Sequence, residues 1–204
     1  MNTLLIGLLW GLTFVIIEAF QFVYFGAIFQ TINSFLFGFL VFGIITVLFV
    51  GYSAFNVPDP LRTAFKKPST LIGLNVSAAL AWACYLNSVE LIEPAVVYTI
   101  SAGVMPLTAY VASYFGHSEE LYTHSRRKII SMLILLLAVV YLAVITISGE
   151  SGFVKTDRLA AFTGVILAMA DGIFFTWMLI FCKKLDHSGV GPATVFGFFN
   201  LISD

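Results

Sequence analysis

The sequence predicts an all-α polytopic membrane protein built as a bundle of spanning helices. Of its 204 residues, 60% are hydrophobic and 10% are charged, whereas about 25% of the residues in a soluble domain are charged. The mean hydropathy is +1.00. The apolar residues form runs of about 20 residues, the length at which a helix crosses a hydrocarbon core of about 30 Å. Barrel strands would alternate apolar and polar residues, and these runs are apolar on every side.

Six complete runs and the beginning of a seventh follow one another along the chain. They cover approximately Leu4 to Ile28, Ile32 to Tyr52, Thr70 to Asn87, Pro94 to Phe115, Ile129 to Ile147 and Ala160 to Cys182, followed by Pro192 to Ser203, which the chain end cuts short. The first run follows no lysine or arginine and is longer than the apolar region of a signal peptide. It is therefore interpreted as a retained signal anchor.

Basic residues in the loops predict the direction in which each run crosses the membrane. Eight of them fall on one side: Arg62, Lys66, Lys67, Arg126, Arg127, Lys128, Lys183 and Lys184. The opposite side carries Lys155 and Arg158, with Glu90 and Glu93 in a short link. Because lysine and arginine concentrate in cytoplasmic loops, the N-terminus is predicted to be cytoplasmic.

Composition excludes several functional classes. A net charge of -1 provides no basic field for nucleic acid. Two cysteines and three histidines match neither a disulfide scaffold nor a metal module, so neither a metal nor a cofactor is predicted. His117, His124 and His187 fall in loops, whereas an intramembrane enzyme needs its catalytic groups at membrane depth. An enzyme is therefore not expected.

The segments after the fifth run resemble the beginning of the chain. Trp10-Gly11 within "LLIGLLWGLTFVIIEAF" has a counterpart in Asp171-Gly172 within "GVILAMADGIFFTWMLI". A second copy that follows five spans enters the membrane from the opposite face, which is the inverted symmetry of many transporters. This predicts a first five-span repeat over residues 1–148 and the start of an inverted second repeat, about two spans long, over residues 149–204.

Two stretches resemble EamA-type permeases of the drug/metabolite transporter superfamily. The first is "LLWGLTFVIIEAF", and the second is "AWACYLNSVELIEPAVVYTISAGVMPLTAYVASYFGHSEEL". Pro106 matches the proline of the family's fourth span, while Gly116 with Glu119 or Glu120 lies two or three residues from the position of its Gly-Glu pair. The second run lacks the arginine that members often carry. Since the family usually has ten spans, the resemblance implies that the chain to Asp204 is a fragment of a longer protein.

The resemblance implies transmembrane transport of small metabolites or drugs, most simply export, by alternating access with proton coupling or exchange. It also implies a multi-pass protein of the cell membrane, in bacteria the inner membrane. Two alternatives stay open: a helical membrane protein that does not transport, and an inactive truncated fragment that packs with a partner. The lipid bilayer is the expected environment, and a homodimer is compatible with the sequence.

Two acidic residues lie inside the apolar runs, Glu18 in the first and Asp171 in the sixth. An ionisable side chain at the bilayer centre costs at least about 2.5 kcal/mol on insertion scales, which makes both residues candidates for binding a cation or relaying a proton. Simple hydrogen bonding to a neighbouring helix is the alternative. Because no lysine or arginine lies within a run, a neutral or cationic small-molecule substrate is favoured over a phosphorylated one.

Four uncharged residues complete the predicted substrate site: Trp10, Trp82, Asn75 and Pro106. The tryptophans offer aromatic faces, the asparagine offers an amide, and a proline within a helix bends it and frees a carbonyl. Packing between helices is the competing interpretation for each of them. Tyr85 and Tyr98 are expected in the interfacial aromatic belt. Gly7 with Gly11, and the alanines of the third run, predict helix-packing faces.

Overall fold

The computed structural model describes residues 32–56, 63–115, 126–150 and 157–190, with Val195 and isolated positions between 5 and 28. Over these residues the regular secondary structure is helical throughout. Five helices follow in chain order: α1 (Ser34–Asn56), α2 (Pro68–Leu91), α3 (Pro94–Tyr114), α4 (Arg126–Ser148) and α5 (Arg158–Asp186). They match the second to sixth predicted runs, and the described positions of the first run are helical as well. The seventh run, apart from Val195, lies outside the described residues.

Four of these helices are long and apolar enough to cross a membrane: α2, α3, the Ile130–Ser148 part of α4, and α5. Large apolar side chains are exposed on the outward surfaces, including Val47 on α1 and Leu137 and Val144 on α4. Water would penalise such surfaces, whereas lipid tails solvate them. The prediction of an all-α bundle of membrane-length helices is therefore confirmed.

Local sequence signals set where the helices begin. The Asn33 side chain accepts a hydrogen bond of 3.0 Å from the Leu36 N–H and so caps α1. α2 and α3 each begin with a proline, Pro68 and Pro94, which is favoured in the first turn because no amide hydrogen is needed there. Only Ile92 and Glu93 separate α2 from α3, so the two helices form a tight hairpin.

A glycine in the left-handed conformation ends both α4 and α5. Gly189 has φ +81°, its N–H donates to the Asp186 carbonyl, and the Val190 N–H donates to the Leu185 carbonyl. This is a Schellman motif, and the usual apolar contact accompanies it because Val190 and Leu185 are both fully buried. Gly149, with φ +83°, ends α4 through the same pair of bonds.

α5 lies antiparallel to α2 along its length. Near one end, a Cβ placed on Gly73 would lie 2.6 Å from the Phe181 ring, and near the other the Ser88 hydroxyl donates to the Gly164 carbonyl at 2.8 Å. Residue numbers therefore rise on α2 as they fall on α5. Small residues allow this approach, as the sequence predicted for the alanines: Ala78 and Ala81 are buried.

α5 lies parallel to α3. The Ser101 side chain meets Asp171, and further along both helices Thr176 meets the Met105 carbonyl. Two helices that run the same way are joined by an odd number of helices between them, here α4. α4 contacts α3 where Val139 fills the space beside Gly103. No described residue lies within 4 Å of the Cβ position of Gly7 or Gly11, and much of the run that carries this predicted packing face lies outside the described residues.

The two ends of the bundle differ in charge. Lys66 and Lys67 precede α2, and Lys183 and Lys184 end α5, so the antiparallel pairing brings the four lysines to one end. At the other end lie Glu90, Glu93, Asp157 and Arg158, where α2 ends and α3 and α5 begin. Among the described residues, the four lysines thus lie at one end with Asp186, whereas three carboxylates lie at the other end with Arg158.

Candidate functional site

Asp171 is buried in the middle of α5, with 7% of its surface exposed. It lies 13 residues after Arg158 and 12 before Lys183, which is about 20 Å and about 18 Å along a helix. No lysine, arginine or histidine lies between these two positions. Asp171 therefore lies near the middle of a membrane-length helix, far along it from any basic residue.

The direct partner of Asp171 is Ser101 on α3. The Ser101 Oγ donates a hydrogen bond of 2.7 Å to one carboxyl oxygen of Asp171, and both residues are buried. An ionised carboxylate has about four acceptor positions, so one hydroxyl satisfies only part of its capacity. The remaining capacity is available for a proton or for a donor on a ligand.

Gly172 makes the bond between Ser101 and Asp171 possible. A Cβ at this position would lie 2.5 Å from the Ser101 carbonyl oxygen and 3.1 Å from the Val104 Cβ. Only glycine allows the backbones of α3 and α5 to approach this closely, as small residues do in other membrane bundles. In the dipeptide Asp171-Gly172, the first residue supplies the acid, and the second, which has no side chain, lets Ser101 come within hydrogen-bond distance of it.

Aromatic residues of α2 and α1 lie at the same depth. Tyr85 and Cys84 are within electrostatic range of Asp171. The Trp82 ring contacts the Tyr85 ring edge to face at a centroid distance of 5.6 Å. Trp82 also contacts the Phe42 ring of α1 edge to face, at a centroid distance of 4.7 Å. Four helices therefore contribute to one layer around Asp171.

Tyr85 lies in the core and not in the interfacial belt that the sequence suggested. Its exposed fraction is 6%, and it belongs to the same apolar cluster as Ile100 and Val104 of α3. Proximity to the end of its span in the sequence was the basis of the belt assignment. The α2 helix extends to Leu91, however, so Tyr85 lies more than one turn before the end of the helix.

The predicted residue Trp82 belongs to this layer. Its indole Nε1 is buried and has no hydrogen-bond partner among the residues that the structure describes. An N–H group without a partner in an apolar surrounding is costly, so this group of residues holds a donor as well as the Asp171 acceptor. The layer can therefore present both an acceptor and a donor to a small molecule.

The predicted residue Asn75 lies elsewhere. It is buried on α2, and its Nδ2 donates to the Leu71 carbonyl of the same helix at 2.8 Å, while its Oδ1 has no partner within the described part of the chain. Nine residues separate it from Cys84, which is about 14 Å along a helix. Asn75 is not part of the layer around Asp171.

Pro106 is half-buried within α3, about one turn beyond Ser101. Proline has no N–H to offer the Ala102 carbonyl four residues earlier, so the helix ladder is interrupted there. The Thr176 hydroxyl lies 2.8 Å from the Gly172 carbonyl, its nearer acceptor, and 3.3 Å from that of Met105. α5 thus contacts α3 with polar atoms on both sides of the Gly172 crossing.

Glu18 and Trp10, the other two predicted site residues, lie outside the described residues. The sequence did not single out Ser101 and Thr176, although both are hydroxyl residues within apolar runs. Such residues commonly form hydrogen bonds between membrane helices, and this was the available signal. It did not distinguish them from Thr146 and Ser77, which bond to carbonyls of their own helices.

Comparisons of the chain with protein-family models, with curated proteins and with solved structures find no match.

Proposed function

We propose that this protein carries a small neutral or cationic molecule across the membrane, with Asp171 as the residue that binds the molecule or relays a proton. The observation that carries the proposal is the buried pair of Ser101 and Asp171, with Asp171 near the middle of a membrane-length helix. Acids at this depth are expensive and typically mark substrate or proton pathways in pumps and transporters. Export by alternating access is the mode implied by the resemblance to EamA-type permeases.

The directions of the helices support a repeat of five spans followed by an inverted second copy. α5 is the first helix of the second copy in this scheme, and it packs antiparallel to α2 and parallel to α3, next to Pro106. Inverted-repeat transporters place their sites near the midplane where the repeats meet. In the proposal, residues 1–148 form one repeat, α5 begins the other, and Asp171 lies on the surface between them.

The chemistry of the layer supports a substrate without phosphate. Asp171 supplies an acceptor, Trp82 supplies a donor, and the rings of Tyr85 and Phe42 supply apolar surface. A phosphorylated molecule would need lysine or arginine at this depth. The lysines and arginines of the described helices lie at their ends.

The positions of the lysines support an orientation in the cell membrane. With the end that holds Lys66, Lys67, Lys183 and Lys184 in the cytoplasm, the chain follows the positive-inside rule. The N-terminus then also lies in the cytoplasm. A bacterial inner membrane fits the family that the sequence resembles.

Flux measurements in vesicles test the proposal. The full chain is reconstituted, and uptake of candidate amines, amino acids and dyes is followed with and without a pH gradient. Flux of a transported compound is expected to respond to the gradient and to fall to background in Asp171→Asn. Glu90→Gln, which changes an exposed acid at the end of α2, serves as the matched control and is expected to retain flux.

Flux that is unchanged in Asp171→Asn removes this residue from the mechanism. The absence of flux for every compound, with a wild-type protein that is folded after reconstitution, favours the alternative of a helical protein that packs with a partner. In that case Asp171→Asn alters stability alone.

A further inference from the structure

We infer that the lysine end of the bundle binds the phosphate headgroup of an anionic phospholipid. The lysine end comprises Lys66, Lys67, Lys183 and Lys184, with the start of α2 and the Schellman turn of α5. The inference is independent of Asp171 and of transport.

Two hydrogen bonds connect the start of α2 to the end of α5 at the lysine end. The Lys67 Nζ donates to the Ser188 Oγ at 2.6 Å, across 121 residues of sequence. The Ser188 Oγ in turn donates to the Lys184 carbonyl at 2.7 Å. The ammonium group of Lys67 therefore lies beside the backbone of Lys184.

Positive charge dominates this patch. Against the four lysines, the described carboxylate at this end is that of Asp186, and His187 follows it directly. The Lys67 ammonium has three donors, and its bond to Ser188 occupies one of them. Like charges at the edge of a low-dielectric region repel one another, and a bound anion removes that repulsion.

The apolar surface around the lysines favours a lipid over a free anion. Phe65 directly precedes Lys66, Ile72 lies one turn into α2, and Leu179 lies one turn before Lys183; all three side chains are exposed. The Lys184 Nζ lies 5.6 Å from the centroid of the Phe181 ring, so the ammonium stays close to apolar surface. A phospholipid matches both features, with phosphate for the lysines and acyl chains for the side chains below them.

Lipid retention tests the inference. The full chain is purified in a neutral detergent and offered phosphatidylglycerol and phosphatidylcholine in equal amounts, and bound lipid is measured by native mass spectrometry. Phosphatidylglycerol is expected to be retained preferentially. Lys183→Gln/Lys184→Gln is expected to weaken that retention by about fivefold for each lysine, from the ~1 kcal/mol that a basic residue contributes near an anionic membrane. Arg158→Gln removes one basic charge at the opposite end, serves as the control, and is expected to leave retention unchanged.

Two further arms separate the possible sources of anion and the effects of folding. Inorganic phosphate at matched ionic strength is expected not to displace the lipid; complete displacement would show a site for free anions and overturn the inference. Lys66→Gln changes an exposed side chain. Its retention of phosphatidylglycerol provides a second test if the double variant is less stable than the wild type. Equal retention of both lipids by the wild type, or undiminished phosphatidylglycerol in Lys66→Gln, also overturns it.

Discussion

The Cα of Gly172 faces the backbone carbonyl of Ser101 so closely that a Cβ would lie 2.5 Å from that oxygen. The obstacle is backbone and cannot rotate away. This contact fixes how near α5 comes to α3, and with it the hydrogen bond between Ser101 and Asp171.

Gly172→Ala is therefore expected to separate the two helices and to lower the free energy of unfolding by about 1–3 kcal/mol, the usual cost of overpacking. Gly51→Ala on α1 is the control, because no described residue lies within 4 Å of its Cβ position. Thermal unfolding in detergent compares the two variants. Equal midpoints for Gly172→Ala and Gly51→Ala would contradict the close crossing.

Ser101 and Asp171 are expected to be energetically coupled. Ser101→Ala leaves the buried carboxyl without its hydroxyl donor and should cost about 1–3 kcal/mol. In the background of Asp171→Ala the same change should cost much less, since no buried acceptor is left without a partner. A double-mutant cycle of unfolding free energies measures the difference, and additive costs would mean that the 2.7 Å bond contributes nothing.

Gly103 and Val139 form a compensating pair between α3 and α4. The Val139 side chain occupies the space that a Cβ on Gly103 would need. Gly103→Ala alone should destabilise the bundle, and adding Val139→Ala should restore part of the loss because the total volume is then better conserved. Thermal midpoints of the single and double variants test this, and the contact is refuted if Val139→Ala lowers the midpoint equally in both backgrounds.

The turn after α5 requires a left-handed residue. Gly189 has φ +81° and open space around its Cβ position, so Gly189→Ala should cost about 1–2 kcal/mol through backbone strain alone. Gly189→Asn should cost less, because asparagine tolerates this conformation better. Unfolding midpoints rank the three proteins, and a midpoint for alanine at or above that of asparagine would argue against the Schellman motif.

The two ends of the bundle should be accessible from opposite sides of the membrane. With Cys84 and Cys182 replaced by alanine, Lys66→Cys and Arg158→Cys introduce single thiols at exposed positions. An impermeant reagent added to oriented vesicles should label one of them and not the other. Labelling of both from the same face would refute the membrane arrangement of α2 and α5.

The sequence was most informative where the physical cause is local. Runs of apolar residues located the helices to within a few residues, because the length of a span depends on the composition of the segment itself. Asp171 stood out because a charge within an apolar run is costly wherever the helix packs.

Contacts between helices were harder to predict from the sequence. The runs are apolar around their whole circumference, so periodicity does not indicate which face of α3 meets α5, and Ser101 resembled any other small polar residue. Tyr85 was assigned to the interface from its place in the run, whereas the depth of a side chain depends on where its helix ends. The layer of Trp82, Tyr85 and Phe42 around Asp171 required the relative positions of the helices.

The parallel contact between α3 and α5 implies an order of assembly. Synthesis proceeds from the N-terminus, so α2 and α3 leave the ribosome first, α4 follows them, and α5 comes last. The hydroxyls of Ser88 and Ser101 are then already in the bilayer when α5 arrives with the Gly164 carbonyl and the carboxyl of Asp171. The earlier helices thus offer prepared hydrogen-bond donors to the segment that brings the buried acid Asp171 into lipid, and a nascent chain stopped before α5 would leave those donors uncovered.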